Sequence, residues 1–106
     1  MAAIWLSLKF YRILGRRVRF KSGELDIIAR RGKVVAFVEV KARKSVDEGV
    51  AAVTQSNWVR VSRAASAWMK SRPDLKHLDW RYDLVVVTPM SFPHHFKDAW
   101  RPPAPY

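Results

Sequence analysis

Glu39 and Lys41 stand two residues apart in Val34–Lys41 (Val-Val-Ala-Phe-Val-Glu-Val-Lys), a stretch that is otherwise apolar. In an extended strand this spacing puts both side chains on one face. A buried carboxylate or ammonium group costs on the order of several kcal/mol unless it is paired or bound to a metal. Glu24 and Asp26 repeat the spacing in Gly23-Glu24-Leu25-Asp26-Ile27-Ile28-Ala29. Clustered carboxylates repel one another, so they share a proton or bind a hard divalent cation, and an oxygen-only donor set suits Mg²⁺ or Mn²⁺. With a lysine on the same face, the set fits metal-assisted phosphodiester hydrolysis. The metal would lower the pKa of a bound water and neutralise phosphate charge, while Lys41 would orient that water or stabilise the transition state. The same residues also fit a plain ion pair, Glu39 with Lys41 or with an N-terminal arginine, on a solvated sheet face, and spacing leaves both open.

Two strands must position these groups, Glu24–Ala29 and Val34–Lys41, the second rich enough in β-branched and aromatic residues to be central. Arg30-Arg31-Gly32-Lys33 forms the hairpin loop between them, with Gly32 supplying a positive φ. Register decides whether the acids meet. A loop centred between Arg31 and Gly32 sets Glu24 opposite Glu39, and Asp26 opposite Phe37. One centred between Gly32 and Lys33 sets Asp26 opposite Glu39. An odd-length loop puts the acids on opposite faces unless a bulge restores the parity.

The remaining elements follow from periodicity. Residues 3–12 predict a short helix, apolar nearly all round and with no N-cap, which suggests missing upstream sequence. Val18–Phe20 predicts a short strand. A helix runs from about Thr54 to Ser71, with Val61, Ala64, Ala65 and Trp68 on its apolar stripe and Arg60, Arg63 and Lys70 opposite. Trp80–Thr88 reads as a last buried strand, and Pro93–Trp100 as a short turn or helix. The order α-β-β-β-α-β makes one α/β domain over residues 1–100, a mixed sheet flanked by helices, with a Pro-rich tail at 101–106.

The chain has 106 residues, of which 49% are hydrophobic and 27% charged, so it is not disordered by composition and holds one modest core. No apolar run approaches the roughly 18–20 residues that span a bilayer. The absence of cysteine removes a disulfide framework, a thiolate zinc site and a catalytic thiol, and is compatible with a cytoplasmic protein. The N-terminal residues lack a basic n-region and a cleavage pattern, so they read as helix and not as a signal peptide. The net charge is +11. Residues 1–46 hold twelve cations against only Glu24, Asp26 and Glu39, a net +9. Such a basic half points to a polyanion, most simply nucleic acid, with an acidic membrane surface as the runner-up. Arg16, Arg17, Arg19, Lys21, Arg43, Arg60 and Arg63 are the candidate phosphate contacts.

Gly23–Ala29, followed by Val34–Arg43 (Val-Val-Ala-Phe-Val-Glu-Val-Lys-Ala-Arg), resembles the motif of the YraN family of small bacterial proteins. The likeness runs from about Leu6 to Trp100 and includes Tyr11-Arg12-Ile13-Leu14 and Arg81-Tyr82-Asp83-Leu84-Val85. That family is regarded as endonuclease-like and is similar to the archaeal Holliday-junction resolvases and the wider PD-(D/E)-x-K, restriction-endonuclease-like fold. The resemblance implies Asp26 and Glu39 as metal ligands, Lys41 as the catalytic lysine, Glu24 as a nearby acid, and Mg²⁺ or Mn²⁺ as cofactor. It also implies DNA as substrate, more than RNA and branched DNA in particular, and by analogy a homodimer. The chain departs from the family in three places. The longer first helix and its glutamate are absent, which implies an N-terminal helix truncated at Met1. Arg17 stands where the family favours Asn, and Asn57-Trp58 where it shows Lys-Gln. Asn57 is therefore a further site candidate, since a polar residue in that helix helps hold the attacking water in related nucleases.

Other residues are read as structural. His94 and His95 point in different directions as neighbours and are expected to be exposed loop residues and not metal ligands. Of the five tryptophans, Trp68 and Trp80 are expected in the core, leaving Trp58 as the one placed to stack on an unpaired base. Asp83 beside Arg81 is expected to be a structural pair. No nucleophile-elbow or Gly-rich phosphate-loop pattern occurs. A Mg²⁺-dependent endonuclease-like protein stands first, a non-catalytic nucleic-acid-binding module second, and a membrane- or ribosome-associated basic protein third.

Overall fold

A computed structural model describes residues 1–103. Helix α1 (Ala2–Leu8) leads into three antiparallel strands, β1 (Arg12–Phe20), β2 (Gly23–Arg31) and β3 (Val34–Ala42). Helices α2 (Val46–Ala51) and α3 (Gln55–Lys70) and the 3₁₀ turn Pro73–Leu75 then cross to β4 (Asp79–Val87), which pairs parallel with β3. Strand β5 (His94–Trp100) closes the antiparallel far edge, giving the sheet order β1-β2-β3-β4-β5. The mixed α/β sandwich expected from the sequence is the one observed.

The two faces have separate cores. Val35 and Phe37 of β3 pack with Val61, Ala64, Ala65 and Trp68, the expected stripe of α3. On the other face Ile27, Ala29, Ala36, Val38 and Val85 pack under Ala2, Ala3 and Leu6 of α1, whose Ile4 and Leu8 point to solvent. Thr54 caps α3: its side chain accepts the Asn57 N–H, and the Asn57 side chain accepts the Thr54 N–H in return.

Four expectations change. The first helix stops at Leu8, and Phe10 turns the chain at φ 68°, so β1 occupies nine residues and not the three of Val18–Phe20. A helix, α2, also forms over Val46–Ala51, ahead of the expected helix start at Thr54, and Ser45 caps its first turn. Gly49 lets α2 sit on β4, since a Cβ there would collide with the Val86 side chain. The segment expected as a turn or helix is β5; its ladder slips between Tyr82↔Trp100 and Leu84↔Phe96, with Asp98 in the slip at φ 56°, which hides its strand alternation. Trp58 is core, only 6% exposed, whereas Trp80 is 41% exposed at the start of β4.

Candidate metal and phosphate site

The β2–β3 turn consists of Gly32 and Lys33, with Gly32 at φ 60°, as a two-residue hairpin with a leading glycine requires. Arg31 therefore faces Val34 and Ile27 faces Val38, and one further step of the same register sets Asp26 against Glu39. This is the second of the two even-length alternatives. At that step the backbone ladder gives way to a side chain, and Asp26 Oδ2 accepts the Val40 N–H at 2.9 Å. Leu25 and Ile28 both join the α3-side core while Ile27 joins the other, so β2 changes its alternation at Asp26. Across the β1–β2 pair from Asp26 stands Arg17, in the left-handed region at φ 52°.

Glu39 shares the α3 face with Val35 and Phe37 and is 8% exposed. Its carboxyl and that of Asp26 line one hollow. Burial, then the adjacent Asp26 charge, raise its pKa to about 7, against the opposing pull of Lys41. Lys41 Nζ stands 3.6 Å from Glu39 Oε2, close enough for Coulomb attraction but long for a hydrogen bond. Glu24 is drawn aside by Arg19, whose Nε donates to Glu24 Oε2 at 2.7 Å.

A pocket of about 220 Å³ opens on the pair, lined by Glu24, Asp26, Glu39, Asn57 and Arg60 among others. Gly23 permits it to close tightly: a Cβ there would lie 2.7 Å from the Arg60 carbonyl oxygen. A neighbouring hollow of about 280 Å³ joins Asp26 and Glu24 to Arg16 and Arg17. Arg16, Arg17 and Arg60 thus border the acids. Lys21 and Arg43 are exposed and line neither hollow, and Arg43 donates to the Ala42 carbonyl. Arg63 lines neither hollow and borders a different groove, with Ser62 and Ser66. Asn57 reaches the pocket wall, but its side-chain oxygen is committed to the α3 cap, accepting from the Thr54 N–H and hydroxyl.

The second buried acid is Asp83, on the α1 face, and its surroundings are larger than the expected pair with Arg81. Oδ1 accepts from Arg81 Nε at 2.8 Å and the Asp98 N–H at 3.0 Å; Oδ2 accepts from Arg81 Nη2 at 2.7 Å and His95 Nε2 at 2.8 Å. Lys9 Nζ, which can only donate, lies 3.1 Å from His95 Nδ1, so the ring proton sits on Nε2 and is given to Asp83. Burial disfavours the charged carboxylate, yet the bonds from His95 and Arg81 outweigh it and hold the Asp83 pKa down at about 2. The expectation of exposed loop histidines fails for His95, whose side chain is 2% exposed within β5. Sequence periodicity carries no sign of this cluster, because Lys9 and Tyr11 join it from the opposite end of the chain.

Residues 1–87 match the family model described as "Uncharacterised protein family UPF0102". A UPF0102 protein of Paramagnetospirillum magneticum is 43% identical over 95% of this chain and 81% of its own length. One of Rhizobium meliloti is 48% identical over 93% and 81%, and one of Maricaulis maris 44% over 96% and 80%. The chain belongs to the UPF0102 family. This is the YraN-type family that the two motifs resemble. The UPF0102 match takes in Glu24, Asp26, Glu39 and Lys41 and ends with β4, so β5 with His95 and Trp100 lies outside it.

Among the described residues, no three His, Cys, Asp or Glu side chains gather into a metal cage. The donor set at the hairpin of this UPF0102 protein is two carboxylates. That suits Mg²⁺, which keeps several waters and takes one or two carboxylates plus substrate phosphate. No described helix is long and apolar enough to cross a membrane.

Proposed function

We propose that this protein is a Mg²⁺- or Mn²⁺-dependent endonuclease-like protein acting on DNA, with Asp26 and Glu39 as ligands and Lys41 as the catalytic lysine. One observation carries the reading: two carboxyl groups from paired strands line one hollow, one of them buried, beside a lysine and a rim of arginines. An apolar core has no use for such a pair, and its mutual repulsion is relieved by a cation or a shared proton. A bound Mg²⁺ would supply charge neutralisation at the phosphate and a more acidic water.

The chain's own groups do the rest. Arg16, Arg17 and Arg60 neutralise phosphates on either side of the acids. Lys41 places a compact positive charge where negative charge builds on the phosphoryl oxygens. Hydrolysis consumes one water: its oxygen bonds to phosphorus, the bond from phosphorus to the leaving sugar oxygen breaks, and that oxygen takes up a proton as the water loses one. The deciding experiment is a divalent-ion titration with branched, single-stranded and duplex DNA. Cleavage that needs Mg²⁺ or Mn²⁺ and disappears in Asp26→Ala, Glu39→Ala and Lys41→Ala is the expected result. Cleavage retained in all three, or indifferent to chelation, rules the proposal out.

A non-catalytic nucleic-acid-binding module is the second reading. It is favoured by the internal partners the acids already have, Val40 N–H for Asp26 and Lys41 for Glu39. It expects salt-sensitive binding without cleavage, and a greater loss on replacing Arg16 and Arg17 than on replacing Asp26.

A further inference from the structure

On the flank of α3 away from the acid pair, an open groove of about 760 Å³ runs between that helix, the start of β4 and the end of β5. Its walls are aromatic and mixed in charge: Trp80, Tyr82 and Trp100 stand with Arg63, with Asp79, and with Arg101 paired to Asp98. The aromatic groups are held from behind. Trp80 meets Phe37 edge-on, with ring centroids 5.8 Å apart. Trp100 stacks on Trp58 with ring planes 5° apart and donates its indole N–H to Gln55. Tyr82 meets Trp100 edge-on at 5.3 Å. Trp80 nevertheless leaves 41% of its surface in water, where Trp58 and Trp68 leave 6% and 7%. Arg63 is exposed and forms no ion pair with any described residue.

A rigidly backed indole, open to solvent and flanked by a free guanidinium, fits a flat heterocycle that carries a phosphate. We propose that this groove takes an unpaired nucleotide, with its base on Trp80 and its phosphate toward Arg63. The inference rests on the nucleic-acid reading above and narrows it to substrates with an unstacked segment, because a base inside a duplex has no free face to offer. The groove is separate from the acid pair. Trp80 pairs with Val35, four residues along β3 from Glu39, which is about 13 Å of strand.

Fluorescence anisotropy in EDTA tests this without cleavage, using labelled oligothymidylate and a duplex of the same length. Trp80→Ala is expected to weaken single-strand binding by roughly fivefold to a hundredfold and to leave duplex binding unchanged, while Trp80→Phe keeps most of it. Arg63→Ala, on the exposed helix surface, should weaken single-strand binding and lower its salt slope by about one. Equal losses on both DNA forms, or none on either in a folded Trp80→Ala protein, overturn the groove alone. A wild-type protein that binds neither form overturns the nucleic-acid reading as well. Competition with thymidine monophosphate separates the two sources of the ligand. Displacement of the strand assigns the groove to free nucleotides; its absence, with the Trp80 effect intact, assigns it to a strand.

Discussion

The sheet carries two buried acids on adjacent parallel strands, each two residues from a cation, and they behave oppositely. Asp83, on the α1 face, has four hydrogen bonds from Arg81, His95 and the Asp98 backbone, and its charge is held so firmly that its pKa falls to about 2. Glu39, on the α3 face, has one lysine at 3.6 Å and a second carboxyl against it, and its pKa rises to about 7. Arg81-x-Asp83 and Glu39-x-Lys41 are the same motif reversed. The difference lies in what other elements deliver to it. A carboxylate whose lone pairs are filled ties strands together, whereas one left facing another carboxylate keeps its affinity for something from outside.

The largest effect should come from the satisfied side. Asp83→Ala strands Arg81 and His95 without their anion, and breaking a buried pair of this kind costs about 3–5 kcal/mol. That should lower the melting temperature by more than about 10 °C. A loss below about 1 kcal/mol in denaturant unfolding would remove the contrast. The pH dependence has a definite sign. Because folding lowers the Asp83 pKa below its ordinary 3.8, the stabilisation is complete above about pH 4 and is lost as the pH falls toward about 2.

Next come the hairpin residues, where activity should fall and the fold should hold. Removing Lys41 or either acid is expected to reduce Mg²⁺-dependent cleavage by about 10²–10³-fold or more, which single-turnover rates can measure. In the metal-free protein the sign of the pH effect reverses. A raised Glu39 pKa means that its contribution to stability, present below about pH 4.5, is lost as the pH rises toward about 7. Glu39→Gln should therefore stabilise the chelated protein at pH 8, by on the order of 1–3 kcal/mol. Added Mg²⁺ should raise the wild-type melting temperature there more than that of the variant. Equal response to Mg²⁺ in both would detach the metal from Glu39.

Much of this contrast was legible in the sequence, and the illegible part has physical causes. Period-two alternation and Gly32 place the acids on neighbouring strands, and a 3.6-residue stripe defines α3. The choice of register rested on the turn, because Gly32 supplies a positive φ equally well as the second of Arg31-Gly32 or the first of Gly32-Lys33. The Asp83 cluster is assembled from Lys9, Tyr11, Arg81 and His95, too far apart for any local pattern. Strand β5 hides its alternation behind the slip at Asp98, and α2 is too short for periodicity to register. Trp58 and Trp80 exchange their expected roles because burial depends on where β5 brings Trp100: it stacks on Trp58 and leaves Trp80 at the groove.

The smallest expected effect bears on where the unsatisfied region ends. Glu24 shares both hollows with Asp26, yet its carboxylate is held by Arg19 in an exposed pair. Exposed pairs of this kind contribute about 0–1 kcal/mol, so Arg19→Ala should leave the unfolding midpoint nearly unchanged. Its value is as a release. If Glu24 belongs to the site, freeing it adds a third carboxylate near Asp26, and the Mg²⁺ concentration for half-maximal cleavage should fall in Arg19→Ala and return to the wild-type value in Arg19→Ala/Glu24→Gln. If that concentration stays fixed in both variants, Glu24 is surface, and the unsatisfied region is Asp26, Glu39 and Lys41 alone.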